Sequence, residues 1–135
     1  MEKKELDSKD LTGISALLIH TAKIDEHYTD NEKKLIYEFI KSFEKKEEII
    51  KKILINAENL EKNSNQLLNF TNIIKKYSLE IKKIIVKELW KIILSDNSSD
   101  PFESNLVRKV CGLIYLPDKA SGEIKLQVQK ELNEK

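Results

Sequence analysis

Asp96-Asn97-Ser98-Ser99-Asp100-Pro101-Phe102-Glu103 repeats a pattern that stands 71 residues earlier, in Asp25-Glu26-His27-Tyr28-Thr29-Asp30-Asn31-Glu32. Each stretch opens with Asp, carries a helix-capping residue four positions on (Thr29, Asp100) and closes with Glu. The match continues outward at the same offset. Leu18 and Ile19 align with Leu89 and Trp90, and Leu35, Ile36 and Phe39 align with Leu106, Val107 and Val110. Thr29 and Glu32 have the S/T-x-x-E spacing in which the two side chains satisfy each other's free amides at a helix start. Pro101 behind Asp100 marks a second start, because proline at the first helical position has no amide hydrogen to leave unsatisfied. Both stretches therefore read as helix junctions, and the chain as two pseudo-repeated helix–loop–helix units.

The periodicity between the junctions is helical. Leu11, Ile14, Leu17, Leu18 and Thr21 line a first helix, from near Asp7 or Ser8 to near Ile24. Leu35, Ile36, Phe39, Ile40 and Phe43 line a second, and Ile49, Ile50, Ile53, Leu54, Ala57 and Leu60 a third. Asn63 or Ser64 is placed to cap a fourth, with Leu67, Phe70, Thr71 and Ile74 on one face. Ser78 is placed to cap a fifth, although Ile81 three residues on leaves its capping box incomplete. From Ile84 to Leu94 that helix is apolar on most sides, with Glu80, Lys83, Lys87 and Lys91 as a polar stripe. A helix apolar nearly all round is normally buried, so it is expected at the centre of the fold, with Trp90 as an anchor. Val110, Cys111 and Ile114 extend the sixth, Pro117 interrupts the chain, and Ile124, Val128 and Leu132 mark a seventh. The expectation is an all-α, compact bundle of about seven helices, one domain spanning residues 1–135, with 1–7 a flexible lead.

Composition bounds function more than it specifies it. The 24 Lys and Arg against 23 Asp and Glu leave a formal charge of +1, without the clustered basic excess of a nucleic-acid binder. The most apolar segment is too short and too charged to span a bilayer. Cys111 stands alone, so no intrachain disulfide forms, and a reducing, cytoplasmic setting is expected. Its apolar helical position suits a small core residue better than a reactive thiol.

These segments resemble the TerB-like (tellurite resistance protein B-like) family. Its hallmark is a helix followed by Asp-Gly-x-x-[Ser/Thr/Asp]-x-x-Glu, present twice, and the matching segments here are Leu17 to Glu32 and Leu89 to Glu103. The glycine after each Asp is Glu26 in the first copy and Asn97 in the second, and His20 stands where an acid is expected in the first helix. Asn tolerates a left-handed backbone better than Glu does, so the first loop is expected to depart from the family shape. The resemblance implies a compact all-α domain, a divalent-metal or stress connection, and no accepted catalytic residues. A similar module occurs in certain DnaJ-type co-chaperones, which implies a protein partner.

Asp25, Glu32, Asp96 and Glu103, with Asp100 beside them, are the candidate metal ligands. Converging carboxylates suit hard cations such as calcium or magnesium. The loops lack the alternating acids and twelve-residue span of an EF-hand. Capping accounts equally for Thr29, Glu32, Asp100 and Glu103, since acids in a first turn interact favourably with the helix dipole. Asp25 and Asp96, at the preceding helix ends, are not explained that way. His20 and His27 have no cysteine at ligand spacing, and nothing pairs a nucleophile with a base. The reading is a non-enzymatic regulatory or interaction module holding a divalent cation. The alternative is a protein-binding adaptor whose acids are only helix caps.

Overall fold

The computed structural model describes residues 6–24, 28–64, 66–95 and 101–133, the side chains of 101–104 excepted. Among the described residues there are seven helices and no strand: α1 (Ser8–Ala22), α2 (Asp30–Lys41), α3 (Glu47–Lys62), α4 (Leu68–Lys75), α5 (Leu79–Leu94), α6 (Pro101–Leu113) and α7 (Asp118–Asn133). The fold is an all-α bundle, as the periodicity requires. The starts of α1 and α2 precede those of α5 and α6 by the same 71 residues that separate the two acidic stretches.

Two helices carry the core. α1 and α5 pack against each other, α2, α3 and α4 pack on α1, and α2, α6 and α7 pack on α5. α5 is central as expected: Ile85, Val86, Leu89, Ile92 and Ile93 are buried, and Trp90 is 5% exposed with its indole N–H donating to Ser121 Oγ at 3.1 Å. α1 is buried more completely than its single apolar stripe suggests. Its small residues are the reason. Gly13, Ser15, Ala16 and Ala22 let neighbours approach closely, and a Cβ at Gly13 would collide with the Ile73 side chain.

The ends of the helices follow local chemistry. Leu6 packs against the core, and Asp7 caps α1 by accepting from the Asp10 amide at 2.8 Å. Ser78 caps α5 through the Ile81 amide at 3.3 Å. The fourth helix starts later than Asn63 or Ser64 would place it. Asn63 instead ends α3, its amide donating to Asn59 O, and α4 begins at Leu68 without a side-chain cap. Leu60 is exposed rather than part of the apolar face of α3. After α6, the Leu116 amide returns to Cys111 O at 2.9 Å, with Tyr115 at φ 62. This is a Schellman-type ending in which a tyrosine takes the left-handed place usually held by glycine.

A buried polar pair joins α1 to the start of α5. Tyr77 donates its hydroxyl to Asp10 Oδ2, and Lys76 Nζ lies 3.4 Å from the same oxygen. Both Asp10 and Tyr77 are buried. Burial and the hydrogen bond to Asp10 together push the phenol above its ordinary value.

Candidate functional site

The first acidic junction is formed where α1 ends and α2 begins. Thr29 has an extended backbone and caps α2, and Glu32 sits in its first turn. The capping box is complete. The Glu32 amide donates to Thr29 Oγ at 3.1 Å, and Glu32 Oε1 accepts from the Thr29 amide at 2.9 Å and from the Thr29 hydroxyl at 3.1 Å. Glu32 is only 6% exposed, so these bonds offset the cost of burying its carboxylate.

Two further carboxylates reach this junction from α3. Glu61 takes Lys23 at 2.8 Å and His20 Nδ1 at 3.4 Å, which ties the end of α1 to α3. Glu58 lies 3.5 Å from Lys33. Tyr28 stands among the three acids, its hydroxyl buried and without a hydrogen bond of ordinary geometry among the described residues. Burial, then the adjacent Glu58, then Glu32 and Glu61 push its phenol up from the ordinary value. Desolvation is the largest cause of that shift, and the three carboxylates add to it.

Of the candidate metal ligands, Glu32 is the one whose side chain is described, and it serves α2 in its capping box. Asp25, Asp96 and Asp100 lie outside the described residues. Glu103 is placed on α6, but its side chain also lies outside them. Among the described residues no group of three or more His, Cys, Asp and Glu side chains is arranged to hold a metal ion. Glu58 and Glu61 were missed by sequence reasoning. Glu61 was legible in principle, because it continues the buried stripe Ile53, Ala57 at four-residue spacing. Cys111 is fully buried, and desolvation pushes its thiol up, which opposes thiolate formation. No described helix is long and apolar enough to cross a membrane.

The described surface holds a second polar feature. Between α2 and α5 runs a groove of about 260 Å³ lined by Leu35, Phe39, Ile84, Lys87, Glu88 and Lys91. It adjoins a second hollow of about 280 Å³ that shares Leu35 and Lys91 and extends to Val128, Glu131 and Leu132 of α7. The polarity of α5 is inverted here. Glu88 is 8% exposed, whereas Ile84, one turn earlier, is 45% exposed.

No curated protein and no solved structure matches the chain. The family model described as tellurite resistance protein TerB matches residues 12–126, which spans both acidic junctions and all but the ends of the bundle. With nearly the whole helical architecture inside that match, the chain belongs to the TerB family.

Proposed function

We propose that this chain is a non-enzymatic regulatory or interaction module, cytoplasmic and connected with stress response, whose acidic junctions hold a divalent cation. The observation that carries this reading is the gathering of Glu32, Glu58 and Glu61 around Tyr28. Three carboxylates from two helices flank Tyr28 next to the segment that contains Asp25, two of them also paired with Lys23 and Lys33. Carboxylate oxygens favour calcium or magnesium over zinc. Asp25, Glu32, Asp96 and Glu103 are the proposed ligands, with Asp100 beside them as a helix cap. The buried Cys111 supports the non-enzymatic part, because a thiol enclosed in apolar surroundings is not poised as a nucleophile.

The completed Thr29–Glu32 box favours a second reading, in which the acids only cap helices and the module is a protein-binding adaptor of co-chaperone type. Thermal unfolding of chelator-treated protein, with and without calcium, magnesium, manganese and zinc, separates the two. A saturating cation at about 100 times its Kd adds about 2.7 kcal/mol to the native state. For a chain of this size that is a rise in Tm of roughly 10 °C. The cation reading expects this rise with calcium or magnesium. No rise with any of the four metals assigns the acids to capping.

A further inference from the structure

The groove between α2 and α5 holds a carboxylate that the bundle itself does not use. Glu88 is more than nine-tenths buried, and its Oε2 has no hydrogen-bond partner among the described residues. An unpaired buried carboxylate is costly, and proteins normally pair it or neutralise it. The two nearest cations do neither. Lys87 is drawn away to Glu131 at 3.1 Å, and Lys91 makes no ion pair with Glu88 among the described residues, although both lysines favour its charged form at longer range. Glu38 of α2 lines the same groove. Glu38, Glu88 and Glu131 against Lys87 and Lys91 leave one negative charge uncompensated.

Apart from Ser42, the rest of the lining is apolar. Leu35 and Phe39 come from α2, and the exposed Ile84 from α5. An isoleucine left in solvent beside a glutamate withdrawn from it stabilises the free protein in neither position. Both positions suit an occupant with a cationic head and an apolar body. The head would pair with Glu88 and the body would cover Ile84. The volume of about 260 Å³ is just below the roughly 300 to 1,000 Å³ of ordinary ligand pockets, which limits the occupant to a small molecule.

We infer that this groove is a binding site for a small organic monocation, an ammonium or guanidinium group on an apolar body, with Glu88 as its anchor and Leu35, Phe39 and Ile84 as its wall. The inference is independent of the acidic junctions and of any metal there.

The test uses the full chain and three probes of matched shape: 2-phenylethylammonium, the neutral 2-phenylethanol, and the anionic 3-phenylpropanoate. Binding is followed by NMR of the Leu35 and Ile84 methyl groups and the Phe39 ring. The cation should bind about tenfold more tightly than the alcohol, as a charge-assisted hydrogen bond to a desolvated carboxylate requires, and the anion should bind weakest. In Glu88→Gln the preference for the cation should fall to about twofold or less. A second readout needs no variant. In the wild-type chain, bound 2-phenylethylammonium should lower the titration midpoint of the Glu88 carboxyl carbon by about one pH unit, the linkage equivalent of a tenfold preference. Equal affinity for cation and alcohol, an unmoved Glu88 midpoint, or shifts centred on Tyr28 instead of the groove would overturn the assignment.

Discussion

Two buried acids show how the environment decides what a carboxylate does. Asp10 is paired, with Tyr77 donating to it and Lys76 nearby, so its burial is compensated. Tyr77→Phe removes that donor and leaves the carboxylate short of a partner. A loss of about 1–3 kcal/mol in urea unfolding is the expected result. Glu88 is the opposite case. Burial raises its carboxyl above the ordinary value, and the fields of Lys91 and Lys87 only partly offset this. A raised carboxyl binds its proton more tightly in the folded state, so Glu88 contributes most to stability below its unfolded value, and this is lost as pH rises through the folded one. Glu88→Gln should therefore be more stable than wild type at pH 7, by about 1 kcal/mol. That advantage should shrink as the pH is lowered toward the ordinary carboxylate range. Paired urea titrations at pH 7 and pH 5 check the sign, and an advantage that grows on acidification contradicts it.

At the scale of the helices, α2 depends on its first turn. Thr29→Ala removes the acceptor for the Glu32 amide and the hydroxyl donor to Glu32 Oε1, and should cost about 1 kcal/mol in chemical denaturation, with Thr29→Ser restoring most of it. In α5, Trp90 packs inside the bundle with its indole N–H satisfied by Ser121 and with Lys125 Nζ 4.9 Å from its ring centre. Trp90→Ala should cost about 3–5 kcal/mol, and native tryptophan emission should be blue-shifted and poorly quenched by iodide. The helices were legible in the sequence because helix packing leaves a regular apolar spacing, and because Thr29, Ser78 and Pro101 mark starts with side-chain chemistry. The start of α4 was not legible, since Asn63 suits a helix start and a helix end alike and α3 claims it. Nor was the inversion at Ile84 and Glu88. On α5 alone Glu88 reads as one more charge in a polar helix, and only the distance between α2 and α5 decides that it is enclosed while Ile84 is not.

For the molecule as a whole, α1 and α5 form a shared spine, and the acidic junction and the groove anchored on Glu88 share no lining residue. The junction at Tyr28 concentrates carboxylates beyond what the capping of α2 requires, and this motivates the cation reading. The acidic pattern was visible from sequence spacing, but the contribution of α3 was not, because Glu58 and Glu61 reach the junction only through the packing of α3 on α1 and α2. The most direct test compares Asp96→Asn and Asp100→Ala by urea midpoint, each free of metal and with saturating calcium. Asp100 is read as a cap, so Asp100→Ala should lose about 1 kcal/mol in either condition. Asp96 is read as a ligand beside other acids, so Asp96→Asn should leave the metal-free protein unchanged or slightly more stable, and should abolish most of the stabilisation that calcium gives the wild type. If Asp96→Asn instead weakens the metal-free protein as much as Asp100→Ala does, Asp96 is a structural acid and the cation account fails.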